Sequence, residues 1–359
     1  MRGRGSKAAG RIALALACAL LVLPAAGCAS SSVTPDAAAE PSATASGGGS
    51  PASPSSVVAE HGQLRVEGGS IVDAQGRPFQ VRGVSTHGLA WYPQYVSAES
   101  FATWRDWGAN AVRLALYTEG EGGWCATDDA GRSALRATLY SGIDAAVADG
   151  MYVIVDWHIL SDGNPLSNED AAKAFFAEVV ERYKGSPNVI YEICNEPNGG
   201  TGWGDVSAYA ADVIPLIRAG SPDALVVVGT PNWSQEVDEA LSSPLPFDNV
   251  AYALHFYAAT HRDALRATAA RALEAKLPLL VTEFGVCEAS GDGALDEASA
   301  DEWIRLLDEH GVGYVCWNLS NKAESSSLVS SGCDKLGGWQ DSDLSAEGAW
   351  YEAVLRAHA

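Results

Sequence analysis

The sequence predicts a single α/β domain with the (β/α)8 TIM barrel fold. From residue 61 onward, short apolar runs rich in β-branched residues alternate with helical stretches, and eight such runs are present. Eight strands that alternate with helices favour a closed parallel barrel. The runs lack a clean apolar–polar alternation, as expected for parallel strands that are covered on both faces. An open, doubly wound sheet is the alternative, but no Gly-rich phosphate-binding loop follows the first run.

Each element has its own signal in the chain. The predicted strands are the apolar runs Val81–Gly88, Ala111–Tyr117, Tyr152–His158, Val189–Glu196, Leu225–Thr230, Val250–Tyr257, Pro278–Gly285 and Gly313–Ser320. The predicted helices are Ser97–Trp107, Ala134–Asp149, Glu169–Lys184, Asp205–Ala219, Ser234–Leu241, Arg262–Ala275 and Ala298–His310. Before the first strand, the turn sequences in Gln63–Gln80 predict a short β-hairpin, which we expect to close the bottom of the barrel. The folded domain is predicted to span residues 61–359.

The first 28 residues have the layout of a secretory signal peptide. Basic residues between Arg2 and Arg11 precede an apolar run from Ile12 to Leu23, and small residues then lead to Cys28. The apolar run is shorter than the roughly 20 residues that span a bilayer. We therefore expect the protein to be exported.

Cys28 and the segment after it bear on attachment to the cell surface. Cys28 follows small residues directly, which resembles a bacterial lipoprotein cleavage box, although Ala25 stands where Leu is usual. Residues 29–60 are dominated by Ala, Ser, Pro, Gly and Thr, cannot bury much apolar surface, and are predicted to form a disordered linker. A lipid on Cys28 would tether the domain through this linker. The alternative is ordinary cleavage near Ala29 and free secretion.

The charge of the chain excludes some classes of partner. The 23 Lys and Arg against 45 Asp and Glu give a net charge of −22. Nucleic acid and anionic membranes both demand a basic face, so neither is expected as a partner, and a membrane enters only through a lipid on Cys28. A neutral polymer is compatible with this charge, and we expect a monomer.

Five of the seven cysteines lie after the signal region. Cys194 and Cys316 fall inside apolar runs, where a free Cys is an ordinary small hydrophobe. Cys125, Cys287 and Cys333 fall in Gly- or Asp-rich loops and are the better candidates for a disulfide, which export would permit. Their pairing cannot be read from the sequence. No spacing of Cys or His matches a metal site.

Polar and aromatic side chains collect at the C-terminal ends of the predicted strands, where barrel enzymes carry their active sites. The residues at these ends are His87, Arg113 with Tyr117, His158, Asn195 with Glu196, His255 with Tyr257, Glu283, and Trp317. A purely structural barrel has no reason to place such residues at one end of nearly every strand. The pattern therefore predicts an active site.

Two carboxylates, Glu196 and Glu283, stand out because each follows an apolar run at the end of a strand. Glycoside hydrolysis needs two carboxyls beside the scissile bond, about 5–5.5 Å apart for retention and about 6.5–9.5 Å apart for inversion. The fourth and seventh strands face one another across the barrel mouth, which favours the shorter distance. Arg113 is expected to keep Glu283 ionised by its opposite charge. Partial burial is expected to keep a proton on Glu196 for donation.

These segments resemble glycoside hydrolase family 5. Ile193-Cys194-Asn195-Glu196-Pro197 is similar to the acid/base signature of that family, and Val281-Thr282-Glu283-Phe284-Gly285 is similar to its nucleophile strand. Arg113, His158, Asn195, His255, Tyr257 and Trp317 match the remaining positions of the family's active site. The segments Val84–Leu89, Gly229–Gln235 and Trp317–Lys322 are similar to the bacterial endo-β-1,4-glucanase (cellulase) branch. The resemblance covers about residues 63–355.

The resemblance implies a retaining endo-β-1,4-glucanase that needs neither metal nor cofactor. It implies that Glu196 is the acid/base, that Glu283 is the nucleophile, and that Asn195 binds the sugar 2-OH. His255 and Tyr257 would orient the two glutamates, and Trp317 would stack under the sugar. The implied non-reducing side of the cleft comprises His87, Trp91, Lys322 and Glu324; the implied leaving-group side comprises Trp233 and Gln235.

Other interpretations stay open at this point. The same catalytic set serves mannan, xyloglucan and mixed-linkage glucan, since loops choose among substrates on one fold. A non-catalytic carbohydrate-binding lipoprotein is a remote alternative, and it predicts loss of a glutamate that this chain retains. A phosphate-binding barrel enzyme would use the loop Ala289–Gly293, against the acidic charge of the chain. A purely structural role, without substrate contact, is the alternative for four of the proposed site residues: His158, Trp91, Trp233 and Lys322. His261 is predicted to be a surface residue.

Overall fold

The computed structural model describes residues 56–359, and the predicted signal peptide and the linker up to residue 55 lie outside the described residues. In the described part, eight parallel strands form a closed barrel, and the last strand pairs with the first. The strands are β3 (Arg82–Thr86), β4 (Ala111–Tyr117), β5 (Tyr152–His158), β6 (Val189–Glu192), β7 (Val226–Val228), β8 (Val250–Tyr257), β9 (Leu279–Gly285) and β10 (Tyr314–Leu319), after a hairpin of β1 (Arg65–Glu67) and β2 (Ser70–Val72). The predicted (β/α)8 barrel is confirmed.

Helices alternate with the barrel strands and bury apolar faces against them. After the short N-terminal helix α1 (Val57–His61), they are α2 (Ala98–Asp106), α3 (Asp129–Ala148), α4 (Glu169–Arg182), α5 (Trp203–Gly220), α7 (Val237–Ser242), α8 (Asp263–Glu274), α9 (Glu297–His310) and α10 (Ala346–Arg356). The segment α6 (Pro231–Ser234) is a single turn whose last three residues have positive φ. Side-chain oxygens of Ser97, Asp128, Asp296 and Ser345 accept from backbone N–H groups and fix four helix starts. The sequence interpretation missed α10. Within residues 56–359, no helix is both long and apolar enough to cross a membrane.

The N-terminal hairpin closes the bottom of the barrel, as predicted. Its strands pair antiparallel, with Val66 opposite Ile71. Ile71 and Phe79 belong to the same apolar cluster as the strand residues that fill the lower barrel. The ring of Phe79 meets that of Tyr152, the first residue of β5, at 5.2 Å between centroids. The hairpin therefore seals the end opposite the predicted active site.

Helix α1 corrects the predicted linker, which was drawn to residue 60. Residues 57–60 are helical, and Ser56 caps the helix by accepting from the backbone of Ala59. Val58 is buried, and its N–H donates to the carbonyl of Gly150 at 3.1 Å. An apolar pair at the end of a polar segment thus packs on the barrel instead of continuing the linker.

The predicted fourth strand was too long at its C-terminal end. Strand β6 ends at Glu192, and Asn195 and Glu196 lie in the loop that follows. This loop passes tightly over β7, because a Cβ at Gly229 would lie 2.3 Å from the carbonyl oxygen of Cys194. The close approach requires glycine at residue 229 and sets the height of Glu196 above the barrel.

Cys125, Cys287 and Cys333, the better candidates for a disulfide, form none in the described part of the chain. All three are free thiols, as are Cys194 and Cys316. The reason is their placement. Cys287 packs with Tyr257 and Trp317 beside the barrel mouth, whereas Cys125 and Cys333 pack with the outer core of strands and helices.

Candidate active site

Arg113 is the charged centre beneath the barrel mouth. It lies on β4 and is fully buried, yet its guanidinium contacts three carboxylates. Nε and Nη2 donate to the two oxygens of Glu192 at 2.7 and 3.2 Å, Nη1 donates to Glu283 at 3.0 Å, and Nη2 lies 3.0 Å from Asp156. Burial works against the charge of Arg113, but the carboxylates outweigh burial and raise its pKa above the ordinary value. The cation is therefore permanent.

Glu283 on β9 is held by donors on both carboxylate oxygens. Arg113 donates to Oε2, and the hydroxyl of Tyr257 on β8 donates to Oε1 at 2.8 Å. Burial and the charge of Glu283 raise the pKa of Tyr257 well above its ordinary value, so the phenol remains a donor. The two donors, one to each oxygen, fix the orientation of the Glu283 side chain, as a nucleophile requires.

Glu196 faces Glu283 from the loop after β6. One carboxylate oxygen from each glutamate and a ring nitrogen of His255 all lie within 4.8 Å of one another. Nδ1 of His255 lies 3.0 Å from Oε1 of Glu196. This close approach favours the shorter spacing of two carboxyls, which is that of retaining enzymes.

The same three groups are of the types that bind metals. In the part of the chain that the structure describes, they form the one cluster of His, Cys, Asp and Glu close enough to do so. Their facing atoms are already engaged, since Glu283 accepts from Tyr257 and Arg113, and His255 meets Glu196. We therefore assign the cluster to acid–base chemistry.

Asn195 is fixed below the mouth by contacts at both ends of its amide. Its Oδ1 accepts from Nη2 of Arg113 at 2.6 Å, and its Nδ2 donates to the carbonyl of Ile159 at 3.1 Å. Nδ2 also lies 3.3 Å from Nε2 of His158, whose Nδ1 meets Asp156 at 2.6 Å. Burial and the charge of Arg113 lower the pKa of His158 to about 3, so the ring is neutral. Because Nδ2 of Asn195 can only donate, Nε2 of His158 accepts, and the ring proton lies on Nδ1 and points to Asp156.

A cleft of about 680 Å³ opens above these groups. Of the predicted site residues, it is lined by His87, Trp91, Tyr117, His158, Glu196, Trp233, Gln235, Tyr257, Glu283, Trp317, Lys322 and Glu324. Arg113, Asn195 and His255 lie buried underneath. The structure thus brings all the predicted site residues to one end of the barrel.

One side of the cleft is an aromatic wall with a charged edge. Trp317 packs at 5.4 Å against His158 and at 5.3 Å against His87. Lys322 pairs with Glu324, and its Nζ lies 3.4 Å from Nε2 of His87. Burial and the charge of Lys322 lower the pKa of His87 to about 3, so this ring is neutral. Trp91 lies at the rim, 38% exposed, and its indole N–H donates to the backbone carbonyl of Glu121.

The opposite side carries Trp233 on a strained turn. Asn232, Trp233 and Ser234 all have φ between 56° and 58°, in the left-handed region that non-glycine residues rarely adopt. Contacts to the Glu196 loop hold this turn. The N–H of Trp233 donates to the carbonyl of Pro197 at 3.0 Å, and the Ser234 hydroxyl donates to that of Asn195 at 2.7 Å. The indole is 44% exposed and faces the cleft, so it is not a core residue.

Sequence reasoning missed several residues of the site. Glu192 and Asp156 both contact Arg113, and Thr282 donates to Glu192 at 2.6 Å. His261 lines the cleft and accepts from the backbone of Tyr257 through Nδ1, so its interpretation as a surface residue is wrong. Ala289–Gly291 also lines the cleft. The available signal was the charge inside β5 and β6, because a buried carboxylate in a strand needs a partner.

Comparison with known proteins agrees with this geometry. Residues 72–323 match the family described as cellulase (glycosyl hydrolase family 5). The chain belongs to glycoside hydrolase family 5. It is therefore a glycoside hydrolase, and its retaining-type carboxylate pair is in keeping with that family.

Family 5 relatives resemble this chain over most of the described domain. It is 46% identical over 81% of its length to endoglucanase A of Butyrivibrio fibrisolvens and 42% identical over 82% to an endoglucanase of Clostridium saccharobutylicum. It spans about two thirds of those proteins, 68% and 65%. The catalytic domain of Thermobifida fusca endoglucanase Cel5A, solved with cellotetraose, matches with a TM-score of 0.78 at 38% identity, over 84% of this chain and 99% of that domain.

Proposed function

We propose that this family 5 enzyme is a retaining endo-β-1,4-glucanase that cleaves internal bonds of cellulose or a soluble β-glucan by double displacement. The observation that carries the proposal is the pair Glu196 and Glu283, whose oxygens approach within 4.8 Å while each has a different set of partners. Glu283 accepts hydrogen bonds from Arg113 and Tyr257, whereas Glu196 contacts His255. The names of the relatives support β-1,4-glucan as the substrate.

In the first step, an oxygen of Glu283 attacks the anomeric carbon. The bond from that carbon to the leaving glycosidic oxygen breaks, and Glu196 gives its proton to the leaving oxygen. The product is a covalent glycosyl ester of Glu283. Arg113 remains paired with the ionised Glu192 when Glu283 becomes a neutral ester, so the buried cation keeps a counter-charge.

In the second step, Glu196 acts as a base. It takes a proton from a water that attacks the anomeric carbon, and the ester bond to Glu283 breaks. Two displacements on one carbon restore the β configuration. Asn195 is the residue placed to bond the sugar 2-OH, a contact that strengthens as the oxocarbenium-like transition state forms. Its amide is immobilised by Arg113 and Ile159, so it offers this contact without reorganisation.

The walls of the cleft suit a chain of glucose units. Apolar sugar faces pack on aromatic rings, while hydroxyls need polar partners. Trp317 and Trp91 provide rings on one side of the carboxylates, with His87, Lys322 and Glu324 as polar partners, and Trp233 with Gln235 lies on the other side. Rings on both sides of the cleavage point favour binding in the middle of a polymer.

The experiment compares wild type with Glu196→Gln on carboxymethylcellulose, with mannan, xyloglucan, mixed-linkage glucan and xylan in parallel. We expect a rapid loss of viscosity on the glucan and its disappearance in the variant. NMR of the first products should show the β anomer. Activity confined to another polymer would overturn the substrate but keep the mechanism. A folded wild type inactive on all of them would favour a carbohydrate-binding role.

We propose that the enzyme works outside the cell, tethered through a lipid on Cys28. The supporting observations are the charge and apolar layout of residues 1–28 and the polar segment that follows Cys28. Two acyl chains would be needed for firm anchoring. When cells that express wild type are extracted by detergent phase partitioning, the activity should be found in the detergent phase. In the Cys28→Ala variant, the activity should be found in the medium. Equal release from both would establish free secretion.

A further inference from the structure

The hydroxyl of Thr282 joins two groups beneath the reacting carboxylates. Thr282 lies on β9 next to Glu283 and is fully buried. Its Oγ1 lies 2.6 Å from Oε1 of Glu192 and 2.8 Å from Nε2 of His255. Neither step of the double displacement uses this hydroxyl, so its placement requires another explanation.

The direction of these two hydrogen bonds can be derived. Both oxygens of Glu192 accept from Arg113, and although burial alone would raise the pKa of Glu192, Arg113 lowers it to about 2. An ionised carboxylate only accepts, so the one hydroxyl proton of Thr282 points to Glu192. Toward His255 the hydroxyl oxygen must therefore accept. Nε2 of His255 consequently carries a proton.

We propose that Thr282 is a positioning residue that fixes the Nε2–H tautomer of His255 and thereby keeps a proton between His255 Nδ1 and Glu196. This inference rests on the proposed function of Glu196 as the acid. With Nε2 protonated, the 3.0 Å contact from Nδ1 to Glu196 holds one further proton. That proton lies on the glutamic acid, or on an imidazolium beside the carboxylate. When Glu196 gives it to the leaving oxygen, His255 remains neutral with its Nε2–H.

The surroundings of His255 favour retention of this proton. Glu192 and Glu196 face it from β6 and the loop after it, Glu283 from β9, and Arg113 and Asp156 from β4 and β5, beside the neutral His158. Burial alone would lower the pKa of His255, but its interactions with Glu192 and Glu196 raise it to about 9. The shared proton is thus present below this pH and is lost as the pH rises through it.

The test is the alkaline limb of the pH profile in Thr282→Val, with Thr282→Ser as the matched control that keeps the hydroxyl. Valine leaves the Nε2–H without an acceptor and favours the tautomer with a bare Nε2, so the pair releases its proton at lower pH. We expect the alkaline pKa of kcat/KM to fall by about one pH unit, so that kcat/KM is about tenfold lower than in wild type at high pH. The acid limb should not move, and serine should restore the profile.

A substrate with a good leaving group separates this role from a purely structural one. Dinitrophenyl β-cellobioside needs no proton from Glu196, so its cleavage by Thr282→Val should keep the wild-type alkaline limb. The inference would be overturned if Thr282→Val lowered the alkaline pKa of kcat/KM equally on both substrates. It would also be overturned if the valine variant had the wild-type pH profile on the polymer. If wild type itself degrades no polysaccharide, the proposed function is refuted. The inference about Thr282 can then still be tested by measuring the tautomer of His255.

The tautomer is measured directly in wild type by NMR with 15N-labelled histidine, with His255 assigned through His255→Asn. We expect a protonated Nε2 throughout pH 5–8. An unprotonated Nε2 in this range would refute the proposal even if Thr282→Val does not fold.

Discussion

The hydroxyl of Tyr257 donates a 2.8 Å hydrogen bond to Oε1 of Glu283, on the oxygen that Arg113 leaves free. The two donors together fix the rotation of the carboxylate. Tyrosine suits this position because burial and the charge of Glu283 raise its pKa well above the ordinary value, so it donates across the working pH range.

Tyr257→Phe should lower kcat by about 10- to 100-fold, because a hydrogen bond to a charged group contributes about 1.5–3 kcal/mol. The measurement is steady-state kinetics on a soluble glucan. Tyr314→Phe is the control, since Tyr314 is a buried tyrosine at the start of β10 that does not line the cleft. A Tyr257→Phe enzyme within twofold of wild type would show that Arg113 alone orients the nucleophile.

Glu283→Ala should abolish turnover and leave the fold intact. Removal of a covalent nucleophile costs at least about 10⁴-fold. Azide can enter the space left by the carboxylate and attack the anomeric carbon once, so the rescued product should be an α-glycosyl azide. In Glu196→Ala, azide instead attacks the ester of Glu283 and should give the β-glycosyl azide. NMR distinguishes the α- from the β-glycosyl azide. If Glu283→Ala gave the β-azide and Glu196→Ala the α-azide, the assigned roles of the two glutamates would have to be exchanged.

The position of the catalytic pair could be predicted from sequence because it depends on local features. Glu196 and Glu283 each follow an apolar run, and the C-terminal ends of barrel strands meet at one mouth. The alternation of strands and helices likewise fixed the fold. Glu192 shows where this reasoning stops. It lies in the same apolar run as Glu196, and a charge inside that run indicates that it needs a partner. No local pattern identifies the partner as Arg113, which lies two strands away on β4.

Errors in the sequence interpretation have similar causes. Helix α1 forms because Val58 packs against the barrel, although its surroundings in sequence are polar. Cys125, Cys287 and Cys333 share a loop-like setting in sequence but pack in different places in the fold. The left-handed turn at Trp233 is stabilised by hydrogen bonds to the loop of Asn195 and Pro197, which are distant in sequence.

Arg113→Ala should lower the free energy of unfolding by about 3–5 kcal/mol, because it leaves buried carboxylates without their counter-charge. Arg113, Asp156 and Glu192 are all fully buried. Urea unfolding followed by tryptophan fluorescence measures the effect. Arg136→Ala is the control. Arg136 pairs with Glu178 at the surface, and loss of this ion pair should lower the free energy of unfolding by less than about 1 kcal/mol. Equal losses in the two variants would contradict the assignment of Arg113 as the charged centre.

Trp233→Ala should raise KM on polymeric glucan about 3- to 10-fold with little change in kcat, as expected for one lost stacking surface. The indole is 44% exposed and contributes no group to the chemistry. Trp233→Phe keeps a ring and should lie between the alanine variant and wild type. A folded Trp233→Ala without any activity would mean that the ring supports the Glu196 loop instead of the sugar.

Asp73 should make the seal at the barrel bottom pH-dependent. Burial alone would disfavour its charge, but hydrogen bonds from His61 and Arg77 outweigh burial and hold the pKa of Asp73 well below its ordinary value. A carboxyl with a depressed folded-state pKa stabilises the fold above its unfolded pKa of about 3.9, and this stabilisation is lost as the pH falls toward the folded value.

Asp73→Asn should therefore lower the Tm at pH 7, and the difference from wild type should shrink as the pH falls from about 4 to about 2. Asparagine keeps the size and one acceptor oxygen but carries no charge to meet Arg77. Asp129→Asn is the control, because the Asp129 side chain is almost fully exposed beside Arg132 and should show no such dependence. If the Tm of Asp73→Asn were below that of wild type by the same amount at pH 2.5 and pH 7, the shape of the side chain, and not the ionisation of Asp73, would hold α1 against the hairpin.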